Sequence, residues 1–146
     1  MSKPAQSSGH SRRQRSTGVV AVVRRNDLFL VILRSNYVSA PNTYCFPGGG
    51  VEAGEDEPTA VQRELNEELA IAWATPLRLL WRNKSIGGVD LGWWLTEIQT
   101  EPAESANPAE VAEVHWWNRE ELLAKTNLLE TNREFFTAWS NGEFEL

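Results

Sequence analysis

From Gly48 to Ile71 the chain reads GGGVEAGEDEPTAVQRELNEELAI, and this stretch decides how the rest is read. Three consecutive glycines end a short extended segment, Tyr44-Cys45-Phe46 before Pro47. Glu55 to Leu69 then reads as a helix. Asp56 stands where an N-cap belongs, and Pro58 falls in the first turn, where its missing N–H costs little. At roughly 100° per residue, Val61, Leu65 and Leu69 form one apolar stripe that faces a core. Glu64, Glu67 and Glu68 share the adjacent face at spacings of three and four.

Three carboxylates on one helical face repel one another unless something positive sits among them. Arg63 lies off that face. A hard divalent cation with oxygen ligands resolves the conflict, and a glycine turn before the helix lets backbone carbonyls approach the same ion. The alternative is a surface helix with solvated acids. The spacing of these acids relative to Gly49 and Arg63 decides against it.

That spacing resembles the signature of the Nudix hydrolase family, of the MutT-like kind: G-x5-E-x7-R-E-U-x-E-E-x-G-U, with U a bulky aliphatic residue. Gly49, Glu55, Arg63, Glu64, Leu65, Glu67, Glu68 and Ile71 fill eight of the nine specified positions. Ala70 replaces the remaining glycine, at a position that closes the helix. If the backbone keeps positive φ there, alanine costs on the order of 1 kcal/mol.

The resemblance implies an α/β/α sandwich with a mixed β-sheet and an enzyme that cleaves a diphosphate bond in a nucleoside diphosphate derivative. It implies Mg²⁺ or Mn²⁺ held by Glu64, Glu67, Glu68 and the Gly48 carbonyl, with Glu67 or Glu68 as an alternative general base. Glu55 and Arg63 then pair across the loop–helix junction, and Glu52 is a solvated loop acid. Family members often add an acid from a late loop; Glu110 is the first choice here and Glu113 the second. The substrate that the resemblance implies is a small nucleotide: a nucleoside triphosphate or oxidised nucleotide, or else a nucleotide sugar or ADP-ribose. The alternative function is a non-catalytic Nudix domain that senses a nucleotide ligand.

Outward from this stretch, Val19 to Val23 and Leu28 to Leu33 flank a polar turn and read as a hairpin of core strands. Strands are expected at Leu77 to Trp81, Val89 to Ile98 and Val111 to Trp117. Short helices are expected at Arg119 to Ala124, capped by Asn118, and at Thr131 to Ser140. The order suggests a mixed α/β sandwich rather than a doubly wound sheet.

Trp93 and Trp94 fall in a strand, so one points inward and the other outward, where it is a candidate base-stacking platform. Arg34 is a candidate phosphate contact. Arg24 and Arg82 read as solvated strand ends, His115 as structural, Trp116 as core and Cys45 as buried and inert.

The chain has 146 residues, one domain's worth. Residues 1–16 carry Lys3, Arg12, Arg13 and Arg15 with no acid, and read as a disordered basic tail before a single domain over residues 17–146. The net charge of −6 argues against a stable nucleic-acid complex. The longest apolar run, Gly18 to Val23, is far too short to span a membrane. One cysteine permits no intrachain disulfide and suits a cytoplasmic setting. Oligomeric state stays open, with a homodimer as one option.

Overall fold

The computed structural model describes residues 16–103 and 106–146. The basic tail therefore lies outside the described residues except for Ser16, whose carbonyl accepts from Asp90 N–H at 2.7 Å.

The elements in chain order are β1 (Thr17–Val22), β2 (Arg24–Arg25), β3 (Leu28–Arg34), β4 (Tyr44–Cys45), β5 (Gly48–Gly50) and α1 (Glu57–Leu69). They continue with β6 (Ala74–Lys84), β7 (Asp90–Ile98), β8 (Val111–Trp117), α2 (Arg119–Leu123) and α3 (Glu130–Ser140).

β5, β1, β7 and β6 form one sheet in that order. It is mixed: β1 runs parallel to β7 and antiparallel to β5, and β6 is antiparallel to β7. A second sheet is built on β3, with β2, β4 and β8 all antiparallel to it.

This corrects the expected hairpin. β1 does not pair with β3. The chain leaves the first sheet at Val23, and the short segment Val23 to Arg25 turns back on β3, with Arg24–Arg25 paired to Leu28 and Phe29 and the Val23 carbonyl accepting from Leu30 N–H at 3.0 Å. The apolar run of β1 is buried on both faces, which suits a strand inside a two-faced sheet better than one arm of a hairpin.

The strands send alternate residues to two cores. Val19, Ala21, Leu30 and Ile32 join Val61, Leu65 and Leu69 of α1. Val20, Val22, Phe29 and Val31 join Trp93 and the α3 residues Phe135 and Phe136. Helices thus cover both sides of the strands. The second core is aromatic: Trp93 stacks on Phe135 at 4.8 Å between centroids, and Phe46 meets both Phe135 and Phe136 edge-on. β8 follows the expected bounds, whereas β6 is longer than expected and α1 begins two residues later.

Candidate active site

The site begins with the way α1 is fixed. Asp56 Oδ1 accepts from Thr59 N–H at 2.8 Å, closing the N-terminus. Ala70 ends the helix in the left-handed region, at φ 55 and ψ 32, with its N–H donating to the Asn66 carbonyl at 3.0 Å. Alanine thus adopts the conformation in which the family pattern has glycine. Between these caps the apolar stripe is pinned to the first core, and Glu64 and Glu68 are buried on its flank at 8% and 4% exposure.

β5 faces that flank. Ala21 N–H donates to the Pro47 carbonyl and Val51 N–H to the Thr17 carbonyl, which marks alternate residue pairs of the β1–β5 ladder as hydrogen-bonded. Gly48 and Gly50 occupy the other pairs, so their backbone groups turn away from β1. Gly48 N–H donates to Glu68 Oε1 at 3.2 Å, and Gly50 O accepts from Arg63 Nη2 at 2.8 Å. The Gly48 carbonyl lies on this same edge. A side chain on Gly49 would run into the Glu64 carboxylate, and one on Gly48 into the backbone of Val19. Glycine is required at both by close approach rather than by backbone conformation.

The third acid arrives from the far end of the other sheet. The β3–β8 register slips between Leu33 and Arg34, where β8 begins. Just before it, the loop carrying Glu110 is tied to β3: Ser35 N–H donates to the Glu110 carbonyl at 3.0 Å and Ser35 Oγ to the Ala109 carbonyl at 2.6 Å. Asn107 Nδ2 reaches the Glu67 carbonyl at 3.3 Å, which also ties the loop to α1. As a result, carboxylate oxygens of Glu64, Glu68 and Glu110 lie within 4.8 Å of one another. They line a cavity of about 360 Å³ together with Gly48, Gly49 and Arg34. Arg34 is anchored by Ser39, with Nε to its carbonyl at 2.7 Å and Nη2 to its hydroxyl at 3.1 Å.

The electrostatics follow from burial. Loss of water pushes Glu64 up to about 7, against the pull of the Arg63 guanidinium. Burial, with the neighbouring Glu64 charge, pushes Glu68 well above the usual carboxylate range, against the Gly48 N–H. Buried acids that hold their protons this way want a cation among them. The donor set is three carboxylates and a free carbonyl edge, all hard oxygen, which fits a divalent ion such as Mg²⁺. Arg63 acts on the opposite flank. It forks onto Glu55, and that contact holds the Glu55 carboxyl below its ordinary value.

Of the residues expected from sequence, the structure brings together Glu64, Glu68, Glu110, Gly48 and Arg34. Glu67 is not in the carboxylate cluster. It is half-exposed and paired with Arg63 Nη1 at 3.3 Å. Glu52 is exposed, 3.7 Å from Arg63 Nε.

Glu113 points elsewhere. It meets His115 Nε2 at 2.7 Å and accepts from Tyr44 Oη at 3.3 Å, across the register slip that separates it from the Glu110 loop. Trp93 is fully buried in the aromatic core, its Nε1 donating to Asn83 Oδ1 at 2.7 Å, so it offers no face to a base. Trp94 lies under α1, and its Nε1 donates to Glu57 Oε1 at 2.9 Å. Arg24 and Arg82 are exposed, as expected, with Arg82 paired to Glu57 and Arg24 lying over the Trp139 ring. Cys45 is buried and its thiol is pushed up to about 12, which leaves it inert. Ser35, which aims the Glu110 loop, escaped the sequence reading; a lone serine after a strand carries no signal of that role.

The NUDIX domain model matches residues 12–139. The chain belongs to the Nudix family, and it is an enzyme of the pyrophosphohydrolase kind. No curated protein matches the chain.

Solved structures share the fold. The MutT NUDIX hydrolase from Burkholderia pseudomallei is 23% identical, with a TM-score of 0.65 over 82% of this chain and 93% of its own. The MutT protein from Methanosarcina mazei is 21% identical, with a TM-score of 0.68 over 88% and 95%. An ADP-ribose pyrophosphatase from Streptococcus suis is 14% identical, with a TM-score of 0.63 over 81% and 82%. Among the described residues, no helix is long and apolar enough to cross a membrane.

Proposed function

We propose that Glu64, Glu68 and Glu110, with the Gly48 carbonyl, hold Mg²⁺ or Mn²⁺, and that the enzyme hydrolyses a diphosphate bond in a nucleoside diphosphate derivative. The observation that carries this reading is the convergence of three carboxylates from two separate elements on one point, beside Arg34. The bound cation supplies screening of the diphosphate charge, polarisation of a phosphoryl oxygen and a more acidic water.

The chain's own groups do the rest. Gly48 N–H orients the Glu68 carboxylate. Arg34, held by Ser39, presents a guanidinium to a phosphoryl oxygen and offsets charge that builds there. Glu110, the most open of the three acids, takes the proton of the attacking water as phosphorus is attacked and a phosphorylated fragment leaves. Arg63 and Glu55 hold the glycine strand and the acid helix in register. Glu67 serves at the rim, where it joins the cation only by leaving Arg63.

Similar folds whose names specify MutT, an ADP-ribose pyrophosphatase and a UDP-X diphosphatase support a nucleotide substrate as a class. The test is a phosphate-release screen with Mg²⁺ across nucleoside triphosphates, 8-oxo-dGTP, ADP-ribose, NADH, GDP-mannose and dinucleoside polyphosphates. Turnover of a compound that vanishes in Glu68→Gln supports the reading. Absence of turnover from the whole panel, in a folded protein that binds Mg²⁺, defeats it.

A further inference from the structure

Glu110 differs from the other two acids in what holds it. Glu64 and Glu68 stand on α1, whose apolar stripe is pinned in the first core. Glu110 stands in a loop, just beyond the slip that breaks the regular β3–β8 register. Its aim has to come from somewhere else.

The direction of a Cα–Cβ bond is set by the two rigid peptide planes that flank the Cα. Around Glu110 both planes are held at both edges. In the plane before it, Glu110 N–H donates to the Asn107 carbonyl at 3.0 Å, and the Ala109 carbonyl accepts from Ser35 Oγ at 2.6 Å. In the plane after it, Val111 N–H donates to the same Asn107 carbonyl at 2.9 Å, and the Glu110 carbonyl accepts from Ser35 N–H at 3.0 Å. Three of these four bonds join backbone to backbone. The fourth is the Ser35 hydroxyl.

Ser35 is buried, at 4% exposure. A carbonyl can only accept and a backbone N–H can only donate. The one hydroxyl proton therefore goes to Ala109, and a lone pair takes Tyr37 N–H at 3.2 Å. This second bond joins the Glu110 turn to the loop between β3 and β4. That loop closes on Arg34, whose N–H donates to the Thr43 carbonyl at 2.9 Å and whose carbonyl accepts from Asn42 N–H at 3.0 Å. Its Ser39 lines the acid cleft and holds the Arg34 guanidinium.

We propose that Ser35 is a positioning residue for hydrolysis: its hydroxyl fixes the direction of the Glu110 side chain and holds Glu110 and Arg34 in one frame. The assignment rests on the reading above, in which Glu110 takes the proton of the attacking water and Arg34 meets a phosphoryl oxygen. Ser35 acts through Glu110. Loss of the hydroxyl strips the Ala109 carbonyl and Tyr37 N–H of their partner and lets the plane before Glu110 tilt. None of the Ser35 hydrogen bonds reaches α1 or β5, so Glu64, Glu68 and Gly48 keep their places.

The test is a double-mutant cycle of Ser35→Ala and Glu110→Gln, measured with Mg²⁺ on whichever substrate turns over. Ser35→Ala alone is expected to lower kcat by roughly 10–100-fold, the cost of a displaced reacting group, with KM changed by less than about threefold. In the Glu110→Gln background the same substitution is expected to cost no more than about twofold, because the group it positions is already gone. Equal losses in the two backgrounds, or a loss confined to KM, overturn the proposal and leave the hydrolase reading intact. A serine that merely stabilised the fold would act whatever stood at position 110.

If Ser35→Ala fails to fold, the cycle is run with Ser35→Cys, which fills the same place with a much weaker donor. If no compound turns over, which counts against the reading above, Mn²⁺ affinity is followed instead by electron paramagnetic resonance. Ser35→Ala should then weaken binding severalfold when Glu110 is present and not when it is Gln. An unchanged affinity, or an equal loss in both backgrounds, refutes the assignment.

Discussion

Arg63 grips Glu55 with two parallel hydrogen bonds, Nε to Oε2 at 2.7 Å and Nη2 to Oε1 at 2.9 Å, across the junction between the glycine strand and the acid helix. The same guanidinium reaches Gly50 O and Glu64 Oε2, so one side chain ties loop, strand and helix together. A lysine cannot reproduce a planar fork. Arg63→Lys is expected to lower stability by about 1–3 kcal/mol and to reduce kcat more than KM, as read by thermal melts and steady-state rates. Because the pairing depresses the Glu55 pKa, its contribution is complete above the ordinary carboxylate range and is lost as pH falls through the lowered value.

The carboxylates divide by burial. Glu68→Gln and Glu64→Gln should weaken Mn²⁺ binding by at least roughly 10–100-fold, the loss that removing a hydrogen-bond partner of a metal ligand already causes. Glu67→Gln should cost less, because Glu67 lies outside the cluster and faces Arg63. Mn²⁺ titration followed by calorimetry or electron paramagnetic resonance checks the order. Equal losses for Glu67 and Glu68 would contradict it.

The metal-free protein should become less stable as the solution turns alkaline. Glu64, pushed up to about 7, and Glu68, raised well above the ordinary carboxylate range by burial, hold more protons folded than unfolded. Their effect is therefore fully favourable below the unfolded carboxylate value and is lost as pH rises through the folded values. Melts from pH 5 to pH 8 in chelator should show a falling midpoint. Mg²⁺ should stabilise more at pH 8 than at pH 6, because it binds the ionised acids.

Two neighbouring glycines should fail differently. Gly49→Ala drives a methyl group into a side-chain carboxylate that can shift, so it should fold and lose most of its metal affinity and activity. Gly48→Ala drives one into the β1 backbone, which cannot move without breaking the sheet, and should be recovered unfolded or severely destabilised. Melting curves beside activity separate the two.

Ala70→Gly should stabilise the fold by about 1 kcal/mol, because residue 70 sits at φ 55 and glycine adopts that conformation without strain. A rise in melting midpoint with unchanged kcat is the expected result.

Much of this was legible in the chain itself. The α1 caps at Asp56 and Ala70, the apolar stripe of Val61, Leu65 and Leu69, the Asn118 cap of α2 and the span of β8 are local matters, set by spacing and by single residues. The pairing of Arg63 with Glu55 was legible for the same reason, since seven residues separate two opposite charges across the loop–helix junction. The expected hairpin was not, because nothing in the run from Val19 to Val23 says which of two sheets it joins.

What the sequence by itself determined is the helix that carries the acids, the glycines before it and the family to which they belong. Only the tertiary structure decided which carboxylates meet. Glu110 reaches Glu64 and Glu68 because Ser35 and a register slip aim its loop, while Glu113, three residues on, faces His115. It also decided that Trp93 is core and that the Asn132 amide meets the Phe46 backbone. Those outcomes depend on contacts between elements 40 or more residues apart in the chain, such as Ser35 with Ala109 and Phe46 with Asn132. Contacts of that range are fixed by packing the two sheets and the helices together, which no local spacing records.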